Sequence, residues 1–247
     1  MNWPVEIDWS CPAGAALDAL AQAVPADRHT PILLFGSAAL QMTIAPSVLS
    51  FDADISPDIV PYDPRSTEFP RPLERIELTQ LVTKLQLGKG QRDLYIQVCA
   101  QGAFQPGTGY LRRIMEVRRG GFLITIPHPV DILISKLHRF EEKDFVAFQE
   151  VFKRTGFPTP DGLIAEFCAS PRLFLTRDRS QDHLPSQFPE SRLTQNIPLL
   201  WRRLWNREID VEREILRPMA GGLREAYADY VATGKDRLAA IAARKDA

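Results

Sequence analysis

The chain has 247 residues, enough for one large domain or two small ones, and its apolar, aromatic and charged fractions are ordinary for a soluble globular protein. Its 30 basic residues are balanced by 31 acidic ones, which excludes bulk, non-specific nucleic-acid binding as a first purpose while leaving room for local basic patches. Cys11, Cys99 and Cys168 are odd in number and far apart, so they imply neither a disulfide framework nor a CxxC metal site and point to a reducing cytoplasm. The opening MNWPVEIDWSCPAG lacks the basic-then-apolar order of an export signal, and no apolar run approaches the roughly 20 residues that cross a bilayer. A cytoplasmic protein without membrane association is the expectation.

After a short lead, residues 15–24 (AALDALAQAV) carry apolar positions at helical spacing, and PADRHTP ends that helix. Ile32, Leu33, Leu34 and Phe35 then read as a buried strand, which Gly36-Ser37 breaks just before helix-compatible residues 38–42. Strand, tight turn and helix start follow one another here, and the unpaired N–H groups of such a junction attract an anion such as phosphate. A second strand surrounds SFDADIS, and PYDPRSTEFPRP, with four prolines, is an exposed loop or extended connection. Residues 73–87 read as a helix; Gly88-Lys89-Gly90 lacks the GxxxxGK[ST] pattern and reads as a plain turn. Residues 94–98 form a strand by their β-branched and aromatic content, and GGFLITIP gives another, stopped by Pro127 and Pro129. From Asp131 onward almost everything reads as helix, apart from a polar loop at 176–192 and a frayed, solvated helix at 234–247.

Side chains two apart on a strand share a face, so Asp52 and Asp54 present two carboxylates side by side. Left alone they repel. A hard divalent cation such as Mg²⁺ resolves the conflict, because it takes oxygen ligands and leaves positions open for substrate phosphates. Two carboxylates beside a phosphate-binding turn suit metal-assisted phosphoryl or nucleotidyl transfer.

The order apolar strand, Gly-Ser, helix, then Asp-x-Asp on the next strand resembles the nucleotidyltransferase superfamily, whose members move a nucleoside monophosphate from an NTP to a hydroxyl. The resemblance implies that Gly36 and Ser37 hold the NTP phosphates and that Asp52 and Asp54 bind the metal. HPVDILISKLHRFEEKDFVAF, residues 128–148, is similar to the Lys-Leu…Lys-Asp segment of AbiEii-like nucleotidyltransferases, the toxin halves of bacterial abortive-infection pairs. By that likeness Lys136 faces the nucleotide phosphates and Asp144 serves as the base. The resemblance covers roughly residues 30–155. One departure stands out: most active members supply a third carboxylate from a later strand, and Gln97 occupies the matching position here. Asp93 lies outside that pattern and is no substitute.

Physical reasoning reaches Asp144 independently. A continuous helix through this stretch carries Leu133, Leu137, Phe140, Phe148 and Val151 on one face, and at 100° per residue Asp144 falls inside that apolar stripe. A carboxylate there must be paired, hydrogen-bonded or excused by a break near Glu141-Glu142-Lys143. Lys136 sits at the edge of the stripe with Arg139 and Lys143, so a salt bridge anchoring the helix stands beside the active-site role.

Arg112, Arg113, Arg118 and Arg119 form a cluster that reads first as a solvated face and second as a site for RNA or an NTP tail. Leu200, Trp201, Leu204 and Trp205 recur at helical spacing, the pattern of core packing rather than base stacking. His29, His128, His138 and His183 show no metal spacing.

The fold expected is thus α/β (α+β), a small mixed-sheet nucleotidyltransferase-like domain at 1–127 followed by a helical domain at 128–247. The activity expected is Mg²⁺-dependent transfer from an NTP to an RNA or protein hydroxyl, in a toxin-antitoxin setting that supplies an antitoxin or other protein partner. The rival is a catalytically weakened module of the same fold that binds nucleotide or a protein, which Gln97 favours and the Asp52/Asp54 pair opposes.

Overall fold

The computed structural model describes residues 3–60, 71–177, 185–189, 191–229 and 231–232. Five strands make the central sheet: β1 (Thr30–Phe35), β2 (Asp52–Ser56), β3 (Tyr95–Val98), β4 (Met115–Arg119) and β5 (Phe122–Ile126). Their order across the sheet is β3-β2-β1-β5-β4. β1 runs antiparallel to β2 and parallel to β5, β2 runs parallel to β3, and β4 runs antiparallel to β5. The sheet is therefore mixed, and with its helices the fold is of the α/β class, as the sequence led us to expect. β1 holds the centre because Ile32, Leu33 and Leu34 are apolar on both faces, and all three are buried.

Helix α1 (Pro12–Gln22) starts with proline at its first position, where a missing N–H costs nothing. Helix α2 (Gly36–Thr43) follows β1 with no intervening loop. Buried Gln41 ties the two helices together: its Oε1 accepts from the Ala13 N–H at 3.1 Å and its Nε2 donates to the Val48 carbonyl at 2.8 Å. The β4–β5 turn is Gly120-Gly121, and a Cβ on Gly120 (φ 53°) would lie 2.2 Å from the Ala21 carbonyl oxygen. The end of α1 thus rests directly on a turn that only glycine fits. Helix α3 (Pro72–Lys84) precedes β3.

The second half is helical, with α4 (Pro129–Leu137), α5 (Glu142–Thr155), α6 (Pro160–Cys168) and α7 (Ser191–Trp205), then a short π-helical turn at Glu212–Leu216. Leu200 and Trp201 are buried in the core, with Leu204 and Trp205 packed against it, as their spacing predicts. One cluster of buried apolar residues surrounds the sheet; another joins α4, α6 and α7 through Leu133, Leu137, Leu163, Phe167, Ile197 and Leu200. α5 serves both, giving Ala147 and Val151 to the first and Phe148 to the second.

Arg113 bridges the sheet side to the helices. Its Nε and Nη2 donate to the two oxygens of fully buried Asp131 in the first turn of α4, at 3.1 and 2.8 Å, and its Nη1 donates to Glu166 of α6 at 2.8 and 2.9 Å. Bidentate pairs of this kind are the stronger class of ionic hydrogen bond, and removing one partner strands the other.

The structure corrects the sequence reading in two places. Part of the expected loop at 176–192 is a hairpin, with β6 (Leu175–Arg177) antiparallel to β7 (Pro185–Pro189), and α7 begins at Ser191. The arginine cluster is not one solvated face, because Met115 and Val117 alternate with Glu116 and Arg118 to make β4, leaving Arg118 exposed while Arg113 is drawn inward and Arg119 pairs with Asp18. Residues 61–70 of the expected loop at 61–72, His183 and the tail at 234–247 lie outside the described residues, while Pro72 already begins α3. Among the described residues no helix is long and apolar enough to cross a membrane.

Candidate active site

The strand that ends at Phe35 turns into α2 through Gly36, whose φ of 76° is left-handed and favours glycine. Phe35 occupies the N-cap position and offers no side-chain hydrogen bond to the first turn. The amides of Gly36 and half-buried Ser37 therefore start the helix without the usual side-chain acceptor.

β2 brings the carboxylates to this turn. Asp54 is in register with Phe35, and its Oδ2 lies 2.8 Å from where a Cβ on Gly36 would stand. Ala53 is buried on the other face, so strand alternation puts Asp52 and Asp54 together on the turn's side. The structure thus brings Gly36, Ser37, Asp52 and Asp54 into one place.

β3 lines up beside β2, with Tyr95 in register with Asp52 and Gln97 with Asp54. Residues in register share a face, so Tyr95, Gln97 and Cys99 look the same way as the carboxylates. The Tyr95 hydroxyl donates to Asp52 Oδ2 at 3.4 Å and the Cys99 thiol to Asp54 Oδ1 at 3.5 Å. Gln97 itself is exposed. Sequence reasoning reached Gln97 but not its two neighbours; alternation counted outward from Gln97 would have found both.

The opposite wall comes from the α4–α5 junction. α4 ends at Leu137, Phe140 takes a left-handed φ of 49°, and α5 begins at Glu142, so the continuous helix is broken near the place the charges suggested. Asp144 lies in the first turn of α5 with no solvent exposure. Its Oδ1 binds the Lys136 ammonium, itself 8% exposed, and its Oδ2 accepts the Glu141 N–H at 3.0 Å to close a capping box. Arg139 Nε stands 3.9 Å from the same Oδ2 and 3.2 Å from Glu141 Oε1. A carboxylate so enclosed is an anchor for cations, and the geometry gives it no open position from which to take a proton off an acceptor hydroxyl.

The two walls feel each other electrostatically. Asp54 is pushed up to about 6, first by burial and then by the charge of Asp52, against the opposing influence of the Cys99 hydrogen bond and the positive charges of Lys136 and Arg139. Burial together with the charge of Asp54 also raises the Cys99 thiol, which therefore stays protonated and donates. This is the donor set a hard divalent cation suits: two same-facing carboxylate oxygens whose charges oppose one another. Among the described residues no group of three or more His, Cys, Asp or Glu is placed to hold a metal.

Farther along the same face Leu33, Phe35, Ser56, Asp58, Gln101 and Phe104 line a small hollow with room for about one water molecule. The Oε1 of Gln101 is buried there without a hydrogen-bond partner among the described residues.

His128 takes no part in the site. It caps α4, its Nδ1 accepting from the Val130 N–H at 3.1 Å, and its ring packs edge-on between Trp3 and Phe157. Gly88-Lys89-Gly90 is a plain turn, closed by a bond from the Gln91 N–H to the Gly88 carbonyl. In comparisons with known proteins, no family profile matches the chain, and it matches neither a curated protein nor a solved structure.

Proposed function

We propose that the chain is a Mg²⁺-dependent nucleotidyltransferase, similar to the AbiEii-like enzymes, that joins a nucleotidyl group from an NTP to an RNA or protein hydroxyl. One observation carries the reading: Asp52 and Asp54 share a face beside Gly36 at an uncapped helix start, opposite the cations of the α4–α5 junction. In this reading the acceptor hydroxyl oxygen bonds to the α-phosphorus as the bond to pyrophosphate breaks, with pyrophosphate as the leaving group and the hydroxyl proton released to solvent water. Asp52 and Asp54 would hold Mg²⁺, which would supply charge neutralisation at the reacting phosphate. The amides of Gly36 and Ser37 bind phosphate oxygens, and Lys136, held in place by Asp144, adds its positive charge to the phosphate side of the site. A cytoplasmic toxin-antitoxin role, with an antitoxin as protein partner, belongs to the same proposal and rests on the resemblance in sequence.

A second reading, a weakened module that binds nucleotide or a protein without turnover, is favoured by Gln97 in register with Asp54, where a carboxylate would complete the set. Incubation with each radiolabelled NTP, Mg²⁺ and total cellular RNA separates the two. Transfer of label to RNA or protein, lost in Asp52→Asn and Asp54→Asn, is the result expected of the enzyme. Mg²⁺-dependent NTP binding without transfer would establish the second reading, and no binding at all would overturn both.

A further inference from the structure

The cations of the α4–α5 junction are unequal in what they can reach. Lys136 is 8% exposed and its ammonium is taken up by Asp144, which is fully buried. Arg139, in the turn just after α4, has a side chain 58% exposed, with its Nε 3.2 Å from Glu141 and 3.9 Å from Asp144. Lys143 is turned to Glu141, 3.3 Å away, and Glu142 is engaged by Arg203 of α7 at 2.6 Å. Lys136, Arg139 and Lys143 against Glu141 and Asp144 is three positive charges minus two negative, a net charge of +1 in a tight group. α4 and α5 both pack against α2, the helix that begins at Gly36, so the group lies on the side of the fold that carries the turn.

We propose that Arg139 is the cation of this group that meets the ligand and that it selects polyphosphates, with Asp144 as the positioning residue that holds Lys136 and Arg139 about one buried carboxylate. The inference rests on the nucleotidyltransferase reading and names the part of the site that distinguishes an NTP from a nucleoside monophosphate. A guanidinium with most of its surface in solvent has donors to spare, and its planar fork matches two phosphate oxygens at once. Lys136, by contrast, would have to give up its buried partner to bind a phosphate directly, which leaves Asp144 a stranded charge. The left-handed turn at Phe140 redirects the chain just after Arg139 and starts α5 at Glu142, which brings Asp144 back within 3.9 Å of the Arg139 guanidinium.

The test is calorimetry with each of the four NTPs and the four monophosphates, in Mg²⁺, on the full chain and on Arg139→Gln, Arg139→Lys and Asp144→Asn. Wild type should bind NTP more tightly than monophosphate. Arg139→Gln should lose about tenfold or more in NTP affinity, the worth of a charge-assisted hydrogen bond, with monophosphate affinity nearly unchanged. Arg139→Lys should recover part of the loss, and folded Asp144→Asn should show a reduced preference for NTP. Should Asp144→Asn fail to fold, the exposed Arg139 variants decide the matter. An Arg139→Gln protein that binds NTP as wild type does would overturn this inference and leave the nucleotidyltransferase reading standing. A wild type that binds no nucleotide would overturn both.

Discussion

Asp54 stands so close to Gly36 that a methyl group on the glycine would lie 2.8 Å from its Oδ2. Gly36 is also left-handed, so Gly36→Ala meets two penalties at once, backbone strain and a contact shorter than real Cβ atoms make. We expect a loss of about 1 to 3 kcal/mol in urea unfolding, with Asp54 pushed off the turn and Mg²⁺-dependent nucleotide binding weakened more than stability alone explains.

The raised value of Asp54 makes its charge a burden on the fold. Its folded value of about 6 lies above its ordinary 3.8, so between those pH values the native state holds the proton more tightly than the unfolded chain does. The contribution of this group to stability falls as pH rises through that window and is at its worst above pH 6. Asp54→Asn should therefore raise the unfolding midpoint at pH 8, by on the order of 1 to 3 kcal/mol, and change it little at pH 4. Mg²⁺ should raise the melting temperature of wild type at pH 8 and leave that of the Asp52→Asn/Asp54→Asn double variant unmoved.

His128 titrates in the opposite sense. Burial, with help from the Arg113 charge, lowers it to about 4 from 6.5, so the unfolded chain gains a proton that the native state refuses as pH falls between those values. The neutral ring contributes stability above pH 6.5 that is lost on the way down to 4, on the order of 1 to 3 kcal/mol. His128→Asn keeps a capping oxygen and removes the titration. The stability difference between wild type and this variant should shrink as pH is lowered from 7 to 5, as read from urea midpoints.

Lys136 and Asp144 should behave as a unit. Breaking a buried pair by removing one partner costs about 3 to 5 kcal/mol, because the other charge is left without compensation. Lys136→Met and Asp144→Leu should each show such a loss, while the double variant should lose much less than their sum. Additive losses would mean that the two side chains do not depend on one another.

How far the sequence could be read depended on the kind of signal each segment carries. The β1–α2–β2 unit was legible because an apolar run, a glycine and two alternating carboxylates each state a local rule. β4 was not, since its arginines drew attention as a patch and hid the alternation of Met115 and Val117. The break before α5 has no Gly or Pro to announce it; Phe140 accepts a left-handed backbone because the surrounding packing holds it there. Arg113 looked like one of four surface arginines, and only the tertiary arrangement shows it joined to Asp131 and Glu166.

The place of β1 at the middle of the sheet bears on how the molecule is made. One neighbour, β2, follows it closely in the chain, but the other is β5, the last of the five strands to leave a ribosome. Until residue 126 emerges, the central strand has an open side and the acidic pair has no cation across from it. α4 comes directly after, bringing Lys136 and then Arg139. Completion of the sheet and relief of the repulsion between Asp52 and Asp54 thus fall within one short interval of synthesis, and a nascent chain arrested before it carries an unfinished sheet and an uncompensated pair of charges.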